Sequence, residues 1–419
     1  MSERLDLVVV GAGQAGLAMS RELYRRGLEH VVLERGRVGE TWRGRWESFC
    51  LVTPNWSMQL PDQPYDGEDP DGFDSRDEIV GFLERYVQKF DVPVRGGVAV
   101  RSLEPRNGGG FLLETSAGSI GACSVVLATG AYQRPYKPLD GVPTDLLQLD
   151  VGSYEKPAAI PDGPVLIVGS GQSGCQIAEE LVLSGRDVYL SCGRAPWLPR
   201  RIAGRDLFWW LNESGFLDAT VESVPDPSAR LLANILASGA RGGHDLHLRT
   251  LHDLGVVLLG HLAGIEGTTC RFEPDLLASV AWGDERLAKL RELFVAFAMK
   301  SGAPEPEIPP PALLEWEPRV TLDLKGFAAV IFAGGFRPDY ESWVRVPGAF
   351  DELGFPVHED GASTAAPGLY FVGVHFLRKR KSSLFIGIGE DAAVVADRVA
   401  ADESARRTLS RSGTRAAAS

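Results

Sequence analysis

Short apolar runs alternate along this chain with glycine-rich turns and with stretches of helical period. Two of the runs, residues 7–10 and Val165–Val168, are followed directly by a Gly-x-Gly-x-x-Gly turn. A helical pattern follows each turn, over residues 17–26 and 175–184, and a further apolar strand follows each helix. Strand, tight turn, helix and strand in this order predict a βαβ unit. Because the pattern occurs twice, we expect two nucleotide-binding domains.

The rest of the chain is less regular. The predicted strands outside the two units share an apolar run between turn residues, and they are residues 98–103, 111–115, 124–128, 256–259, 328–332 and 369–372. Helical patterns cover residues 77–90, 229–237 and 284–299. The last residues, from 402 onward, contain few apolar side chains, which predicts a frayed tail.

The six glycines of the two turns have distinct tasks in a dinucleotide site. The first glycine of a turn makes it tight, the second lets the backbone approach a pyrophosphate, and the third lets the helix pack on the strand. The helix N-terminus then presents free N–H groups to the phosphates. The glycines in these places are Gly11, Gly13 and Gly16 in the first turn and Gly169, Gly171 and Gly174 in the second. Plain tight turns are the alternative, but the flanking strand and helix favour nucleotide sites.

The two units differ where the second strand ends, at the position that contacts the ribose. The first unit has Glu34, which can accept hydrogen bonds from ribose hydroxyls and would repel a 2′-phosphate, so it suits FAD or NAD. The second unit has Ser191 at this place, and Arg194 follows. A guanidinium without the acid favours the 2′-phosphate of NADPH. The alternative is that Arg194 is a solvated surface charge.

Composition restricts the setting of these sites. A chain of 419 residues, 24% charged and with a net charge of −13, is typical of a soluble protein of two or three domains. The negative balance disfavours binding to nucleic acid or to an anionic membrane. Without a long apolar run or a secretory pattern, we expect a cytoplasmic protein. The five cysteines form no close pair, which predicts reduced thiols, and the seven histidines lack metal-ligand spacing, so no metal site is expected.

Several short segments, taken in order with the two turns, resemble the class B flavoprotein monooxygenases. These comprise the flavin-containing monooxygenases and their Baeyer–Villiger and YUCCA-like relatives. The matching segments are residues 39–43, 51–54, 127–130, 330–338, 368–373, 380–382 and 387–392. The resemblance implies FAD at the first turn and NADPH at the second. It also implies insertion of one oxygen atom from O₂ into a small organic substrate, at a nitrogen, sulfur or ketone centre, via a flavin C4a-hydroperoxide. A homodimer is left open.

The resemblance also implies which residues hold the cofactors. Besides the glycines and the ribose-end residues, the implied cofactor-binding residues are Arg35, Trp42, Arg43, Ala128, Thr129, Gly130, Ser173, Gly373, Lys381, Ser382, Gly387 and Gly389. Asn55 is the candidate catalytic residue. In relatives the last glycine-rich segment directs a helix N-terminus at the flavin, and Lys381 or Arg380 would add positive charge there. The alternative is that residues 378–381 form a solvated basic loop.

The fold class that follows is α/β. It has two Rossmann-like three-layer domains, one for FAD and one for NADPH, and a mainly helical insert that lines the substrate site. The FAD-binding domain is expected to be discontinuous, over residues 1–160 and 320–402. The NADPH-binding domain covers 161–319, with the insert at about 196–318, and a disordered tail covers 403–419.

Departures from the family pattern keep other functions open. Asp150 stands where the family fingerprint has a histidine, which leaves room for an NADPH–flavin redox protein or sensor without substrate turnover. A flavin disulfide reductase also carries two Rossmann motifs, but it needs a close redox-active cysteine pair. His375 could line the flavin pocket, although packing is the simpler role. Trp209 and Trp210, with the aromatic residues of 294–297, are expected in the core rather than in a substrate cavity.

Overall fold

The computed structural model describes residues 3–224 and 226–416. Within them the helices are α1 (Gln14–Arg25), α2 (Glu40–Arg43), α3 (Arg76–Phe90), α4 (Gln172–Leu183), α5 (Leu207–Glu213), α6 (Leu248–Asp253), α7 (Leu276–Ser301) and α8 (Phe385–Ala416). The strands are β1 (Glu3–Val10), β2 (Val31–Leu33), β3 (Val94–Arg95), β4 (Val100–Pro105), β5 (Phe111–Thr115), β6 (Gly118–Leu127), β7 (Arg134–Pro135), β8 (Leu147–Asp150), β9 (Val165–Val168), β10 (Val188–Ser191), β11 (Arg201–Ile202), β12 (Arg205–Asp206), β13 (Val257–Leu259), β14 (Leu262–Glu266), β15 (Thr269–Phe272), β16 (Thr321–Asp323), β17 (Ala329–Phe332), β18 (Phe336–Arg337), β19 (His358–Glu359), β20 (Ala362–Ser363) and β21 (Leu369–Phe371).

The first sheet is built around β1. Its strand order is β19-β20-β21-β6-β1-β2-β3, the hairpin β4–β5 extends from β6, and β1 pairs in parallel with β2 and β6. Side chains of β1 alternate between two apolar layers. Leu7 and Val9 pack with α1, α3 and α8, whereas Val8 and Val10 pack with the β4–β5 hairpin and β21. A parallel strand covered on both faces explains the continuous apolar run of residues 7–10.

The second sheet repeats this design around β9. Its order is β13-β10-β9-β17-β8, and all its neighbouring strands are parallel. Val165 and Ile167 pack with α4, while Leu166 and Val168 pack with Cys270 and other residues near the antiparallel ribbon β14-β15-β16. Both sheets are therefore the centre of a layered α/β arrangement, which confirms the predicted fold class.

The chain crosses between the two sheets in two places, and the crossings lie side by side. The first crossing follows β6 and contains β7, and the second follows β17 and contains β18. β7 and β18 pair antiparallel, with Phe336 opposite Pro135 and Arg337 opposite Arg134. The strands β8 and β17, which the sequence placed in the first domain, pair in the second sheet. The division of the chain at residues 160 and 320 stays a prediction.

Several local expectations differ from the structure. The helix expected over 229–237 is wrong, because Asp226 caps a short 3₁₀ turn, Pro227–Leu231, after which the chain is extended. The helix at 284–299 exists but is part of the longer α7. The sequence did not predict the ribbon strands β14 and β15. Both strands are short, and both mix exposed positions with positions that are half-buried or buried, so neither forms an apolar run.

The expected disorder from residue 403 does not occur over 403–416, where α8 continues. Asp402 accepts a hydrogen bond from the Tyr370 hydroxyl at 2.5 Å, and Glu403 accepts one from the Ser124 hydroxyl at 3.0 Å. These two carboxylates attach the helix to β21 and β6, which the low apolar content of the segment does not reveal. Residues 417–419 lie outside the described residues. Within the part of the chain described, no helix is long and apolar enough to cross a membrane.

Candidate functional site

The first glycine turn joins β1 to α1 and leaves open space at its middle glycine. Gly11 has a φ of +109°, and a Cβ there would lie 2.7 Å from the carbonyl oxygen of Ala128. A Cβ at Gly16 would clash with the carbonyl oxygen of Gly11. A Cβ at Gly13 would meet nothing within 4 Å, and no side chain caps α1. The free helix N-terminus with room in front of it fits a pyrophosphate.

Glu34 is fixed at the end of β2, facing this turn. It is buried, and its Oε2 accepts a hydrogen bond from the Ala12 N–H at 2.8 Å while its Oε1 accepts one from the Gly36 N–H at 2.9 Å. Two ionised oxygens can accept about four hydrogen bonds, so acceptor capacity remains for ribose hydroxyls. The carboxylate therefore lies beside the first glycine turn, and its role at a ribose stays a prediction.

The wall in front of α1 comes from two other parts of the chain, both attached to Gln14 at the start of the helix. The Trp42 indole N–H donates to Oε1 of Gln14 at 2.9 Å, and the amide of Gln14 donates to the Ser383 carbonyl at 3.4 Å. The Trp42 ring also stacks on Phe385, with centroids 5.7 Å apart and planes at 21°. Gln14 therefore ties the first turn to Trp42 and to the start of α8. Sequence reasoning missed Gln14, although a glutamine occupies the same place in both turns.

Other predicted residues of the first site lie on its rim. Ala128, Thr129 and Gly130 follow β6 beside Gly11, and Gln133 donates hydrogen bonds to the Thr129 hydroxyl at 3.0 Å and the Gly130 carbonyl at 2.9 Å. Arg35 is exposed next to Glu34. Arg43 is directed at protein groups instead: its Nε donates to the Val38 carbonyl at 3.1 Å, and its Nη2 pairs with Glu84.

The start of α8 is held against the first turn by small residues. A Cβ at Gly373 would clash with the Ala15 side chain, and one at Gly387 would clash with the Lys381 carbonyl. Ser382 is buried, and its hydroxyl accepts hydrogen bonds from the backbone N–H groups of Arg378 at 3.0 Å and Lys379 at 2.9 Å. These contacts shape the segment before α8. Gly389, two residues further, lies near Pro61, and a Cβ there would be 3.6 Å from that ring.

The basic segment 378–381 is not a solvated loop, so that alternative is wrong. The side chains of Arg378, Lys379 and Lys381 are only 21%, 27% and 14% exposed. Each has an acidic partner: Arg378 pairs with Asp360 and Asp391, and the Nζ atoms of both lysines lie within 3.1 Å of Asp218 Oδ1. Because Asp218 opposes the charge of Lys381, this lysine adds little positive potential beyond its own pair.

The second glycine turn joins β9 to α4 with the same backbone. Gly169 has a φ of +112°, and a Cβ there would lie 2.5 Å from the Ala333 carbonyl oxygen. A Cβ at Gly174 would clash with Gly169. The surroundings of the middle glycine differ, because a Cβ at Gly171 would be 3.6 Å from the Cβ of Ala233. The insert therefore reaches over this turn.

Gln172 attaches the insert to the second turn. Its Oε1 accepts a hydrogen bond from the Ala237 N–H at 3.1 Å, and its amide donates to the Ala237 carbonyl. Ser170, which sequence reasoning missed, binds both backbone groups of Gly193: its hydroxyl accepts from the N–H at 2.9 Å and donates to the carbonyl at 3.1 Å. The loop after β10 is thus fixed beside the turn. Ser173 lies half-buried in the first turn of α4.

The counterpart of Glu34 in the second unit is Cys192, so the predicted placement of Ser191 there is wrong by one residue: Ser191 pairs with Val168 as Leu33 pairs with Val10. Cys192 is buried and carries no carboxylate. Ser191, the residue before it, is also buried and donates its hydroxyl hydrogen to the Gly260 carbonyl at 3.0 Å. Arg194 is exposed on the loop that Ser170 fixes. An exposed guanidinium close to this position suits a phosphate ligand.

Asn55 and Asp150 both organise local backbone. Asn55 is buried, its amide donates to the Tyr65 hydroxyl at 3.2 Å and the Asp69 carbonyl at 2.9 Å, and its carbonyl accepts from the Asp74 N–H at 2.6 Å. Both amide hydrogens are therefore used to hold the 65–74 loop, and a catalytic role for Asn55 stays a prediction. Asp150 closes the turn after β8 by accepting from the N–H groups of Gly152 and Ser153, at 2.8 and 3.1 Å.

The aromatic residues of the insert form core, as expected. Trp210 and Phe294 are fully buried, and the rings of Trp209, Trp210 and Phe297 meet edge to face at 5.1–6.1 Å.

His244, one of the closely spaced histidines, is hydrogen-bonded to protein. Its Nε2 lies 2.6 Å from Oε1 of Glu179. Over the described residues, no group of three or more metal-ligating side chains is found.

The cysteines are free thiols and do not form a redox pair. Cys175 and Cys192 are buried near each other, and burial raises the pKa of both thiols well above the ordinary value. Burial also raises the pKa of Cys50 to about 11. A thiol that stays protonated is a poor nucleophile, so this arrangement disfavours disulfide-exchange chemistry.

Comparison with known proteins agrees with this geometry. A family model described as pyridine nucleotide-disulphide oxidoreductase matches residues 8–205. An uncharacterized CzcO-like oxidoreductase of Geobacillus kaustophilus is 31% identical over 94% of this chain and 97% of its own length. A probable indole-3-pyruvate monooxygenase, YUCCA3 of Arabidopsis thaliana, is 27% identical over 94% of this chain and 86% of its own length. The flavin-containing monooxygenase of Stenotrophomonas maltophilia has the same fold, with a TM-score of 0.67 at 21% identity, covering 95% of this chain and 99% of that one.

The chain therefore belongs to the class B flavoprotein monooxygenase family, which confirms the predicted resemblance. It is an NAD(P)H-dependent flavin oxidoreductase, and flavin monooxygenases of this family use FAD and NADPH. The geometry fits these groups, since one glycine turn has a carboxylate at its ribose end and the other has the uncharged Cys192 there, with Arg194 nearby.

Proposed function

We propose that this chain is an FAD-dependent monooxygenase that takes a hydride from NADPH and inserts one oxygen atom of O₂ into a small organic substrate. The reacting centre would be a nitrogen, a sulfur or a ketone. The observation that carries the proposal is the pair of glycine turns with different ribose ends, the carboxylate of Glu34 at one and the uncharged Cys192 at the other. Membership of a family that carries out flavin-dependent monooxygenation supports it, as does a relative named for oxidising indole-3-pyruvate.

In this proposal the first turn holds FAD. Gly11, Gly13 and Gly16 would bind its pyrophosphate, and Glu34 its ribose. Gln14, Trp42 and the start of α8 would enclose the part of the cofactor beyond the phosphates. The first turn of α8 contains no acidic residue, so the positive end of a 32-residue helix faces this side uncompensated by its own sequence. Bound FAD supplies the redox chemistry and the activation of oxygen, which amino-acid side chains cannot supply.

The second turn would hold NADPH. Gly169, Gly171 and Gly174 provide the pyrophosphate site, and Arg194 would bind the 2′-phosphate that the absent carboxylate would otherwise repel. The insert over this turn, attached through Gln172, would exclude water from the bound dinucleotide. The tasks left to the protein are thus to bind, to orient and to keep the site dry, which agrees with the lack of a catalytic dyad in the proposed site.

A substrate screen under air tests the proposal. The purified FAD-loaded protein is mixed with NADPH and with a panel of amines, sulfides and ketones, and NADPH consumption, hydrogen peroxide and product mass are measured. We expect at least one product that is heavier than its substrate by about 16 mass units, formed in proportion to NADPH. Peroxide in stoichiometric amount with no oxygenated product from any class would contradict the proposal and indicate an oxidase-type redox protein.

A further inference from the structure

His261 lies at the ribose end of the second nucleotide site. The strands β10 and β13 run parallel, and Ser191 is opposite Leu259. The Cys192 N–H then donates to the Leu259 carbonyl at 2.9 Å, so the alignment continues past the strands and brings His261 beside Gly193. Ligands of a parallel sheet bind at the carboxyl ends of its strands. His261 therefore belongs to the same edge of the sheet as the second glycine turn.

The imidazole of His261 packs over a position that has no side chain. A Cβ at Gly193 would lie 3.3 Å from Nε2 of His261. Gly193 stands directly before Arg194, and Ser170 binds both of its backbone groups. The side chain of His261 is 48% exposed, Arg194 is exposed, and Nε2 has no hydrogen-bond partner within the described residues. This edge is therefore open to solvent, and a ligand can reach both side chains.

Asp275, the residue before α7, fixes the orientation of this imidazole. Its Oδ2 lies 2.6 Å from Nδ1 of His261, and its Oδ1 accepts a hydrogen bond from the His261 backbone N–H at 2.9 Å. Burial of the carboxyl group would raise its pKa, but the hydrogen bonds from His261 outweigh burial and hold the pKa of Asp275 below its ordinary value. The carboxylate is therefore ionised at neutral pH, and Nε2 is the ring nitrogen left for a ligand.

The chemistry of the ring selects an anion. In a protonated imidazole both ring nitrogens donate hydrogen bonds, whereas in a neutral one only one does. When Nδ1 donates to Asp275, Nε2 donates as well only in the protonated ring, which an anion beside it stabilises. The hydrogen bond that then forms is charged and stronger than a neutral one. Asp275 contacts the other ring nitrogen, so it does not block the approach to Nε2.

We propose that His261, oriented by Asp275, binds the 2′-phosphate of NADPH together with Arg194 and so contributes to a preference for NADPH over NADH. The two side chains follow neighbouring strands, β10 and β13, and no carboxylate stands at Cys192 to repel a phosphate. NADH has a hydroxyl group in place of this phosphate and would lose both charged contacts. The inference rests on the proposed function, which assigns NADPH to the second turn, and adds a residue from a different strand end.

Two nucleotide fragments that differ only in the 2′-phosphate test the inference, 2′,5′-ADP and 5′-AMP. Each is titrated into the FAD-loaded protein, and the dissociation constants are measured by calorimetry, which requires no turnover. We expect the wild-type protein to bind 2′,5′-ADP about tenfold or more tightly than 5′-AMP, because charged hydrogen bonds hold the additional phosphate. Equal binding of the two fragments by the wild-type protein would overturn the inference without any variant.

Variants of His261 locate the preference. His261→Asn keeps a donor near the place of Nδ1 and removes Nε2, and we expect it to weaken 2′,5′-ADP about fivefold or more while 5′-AMP stays within about twofold. His252→Asn is the matched control, because His252 is 43% exposed and also lies near a carboxylate, that of Asp253. It should keep the wild-type values. His261→Lys retains a positive charge and should restore most of the preference.

The outcomes separate a phosphate contact from other roles of His261. If His261→Asn weakens both fragments equally, the residue contacts the adenosine part or supports the loop, and the inference is wrong. It is also wrong if His252→Asn has the same effect, or if 2′,5′-ADP binds to His261→Asn as tightly as to the wild-type protein. Thermal unfolding and FAD content identify a variant that does not fold, in which case His261→Gln takes its place with the same expected result.

Failure of this inference and failure of the proposed function are distinguishable. If the preference for 2′,5′-ADP depends on His261 but no oxygenated product forms in the substrate screen, the phosphate site stands and the monooxygenase proposal fails. If oxygenated product forms with NADPH while His261→Asn leaves the preference unchanged, the assignment of His261 fails and the monooxygenase proposal stands.

Discussion

The two glycine turns of this chain share one backbone and differ in what covers it. In both, the first glycine takes a positive φ against a neighbouring strand end, and the third is packed so closely that a Cβ would clash. The middle glycine faces open space in the first turn, but lies under Ala233 in the second. Backbone sterics therefore determine the turn, whereas residues far away in the sequence determine what each turn can hold.

In each turn a glutamine side chain attaches the segment that lies over the turn. Gln14 and Gln172 occupy the same place at the start of α1 and α4, yet Gln14 binds Trp42 and the Ser383 carbonyl while Gln172 binds both backbone groups of Ala237. The same side chain thus attaches the segment before α8 to one turn and the insert to the other. The difference between the two sites lies in the attached segments, and substitutions can separate the shared part from the specific part.

The largest effect is expected at the shared third glycine. Gly16→Ala places a Cβ against the Gly11 carbonyl, which is backbone and cannot move aside without opening the turn. We expect a loss of about 2 kcal/mol or more in the free energy of unfolding, together with loss of bound FAD. Thermal unfolding and flavin absorbance measure both. Gly174→Ala should destabilise similarly, and a Gly16→Ala protein that is stable and yellow would show that the turn is not rigid.

The second effect belongs to the middle glycine of the first turn. Gly13→Ala adds a methyl group to open space, so the protein without cofactor should keep its wild-type melting temperature. Affinity for FAD should nevertheless fall roughly tenfold or more, because the methyl group occupies the approach of the pyrophosphate. Fluorescence titration of the stripped protein with FAD gives this number. Unchanged affinity would mean that the first turn does not bind the pyrophosphate.

The third effect tests the ribose ends. Arg194→Gln removes the charge proposed for the 2′-phosphate, and we expect kcat/KM for NADPH to fall about tenfold while the value for NADH changes little. The control is Arg291→Gln, an exposed arginine on α7. If the ratio of the NADPH and NADH values is the same in both variants, Arg194 is only a surface charge.

The smallest effect concerns the insert segment that lies over the second turn. Gln172→Ala removes two hydrogen bonds to Ala237, which corresponds to about 1 kcal/mol each before compensation by water. We expect faster hydrogen exchange in residues 233–238 and a modest rise in KM for NADPH, with FAD content unchanged. Gln14→Ala should show the opposite pattern, with weaker FAD retention and normal exchange at 233–238. If the two variants behave identically, Gln14 and Gln172 do not attach different segments to the two turns in the way proposed.

Sequence predicted the parts of this molecule that depend on neighbouring residues. The runs at 7–10 and Val165–Val168 and the two turns lie within single βαβ units, where local pattern decides the structure. The counterpart of Glu34 was placed one residue too early, at Ser191, because the strand register that identifies Cys192 is seen only in the structure. The contact of Arg380 with Phe216 could not be predicted, because Phe216 belongs to the insert, far away in the sequence. The same holds for the lysine partners, since Asp218 gives no local signal of its position.

The paired crossings β7 and β18 have a consequence for the proposed transfer of a hydride between the two nucleotides. The two strands pair with each other, so the two crossings form one link between the sheets rather than two separate connections. We expect this link to restrict the relative movement of the two sheets, and so of the two nucleotides that they would hold.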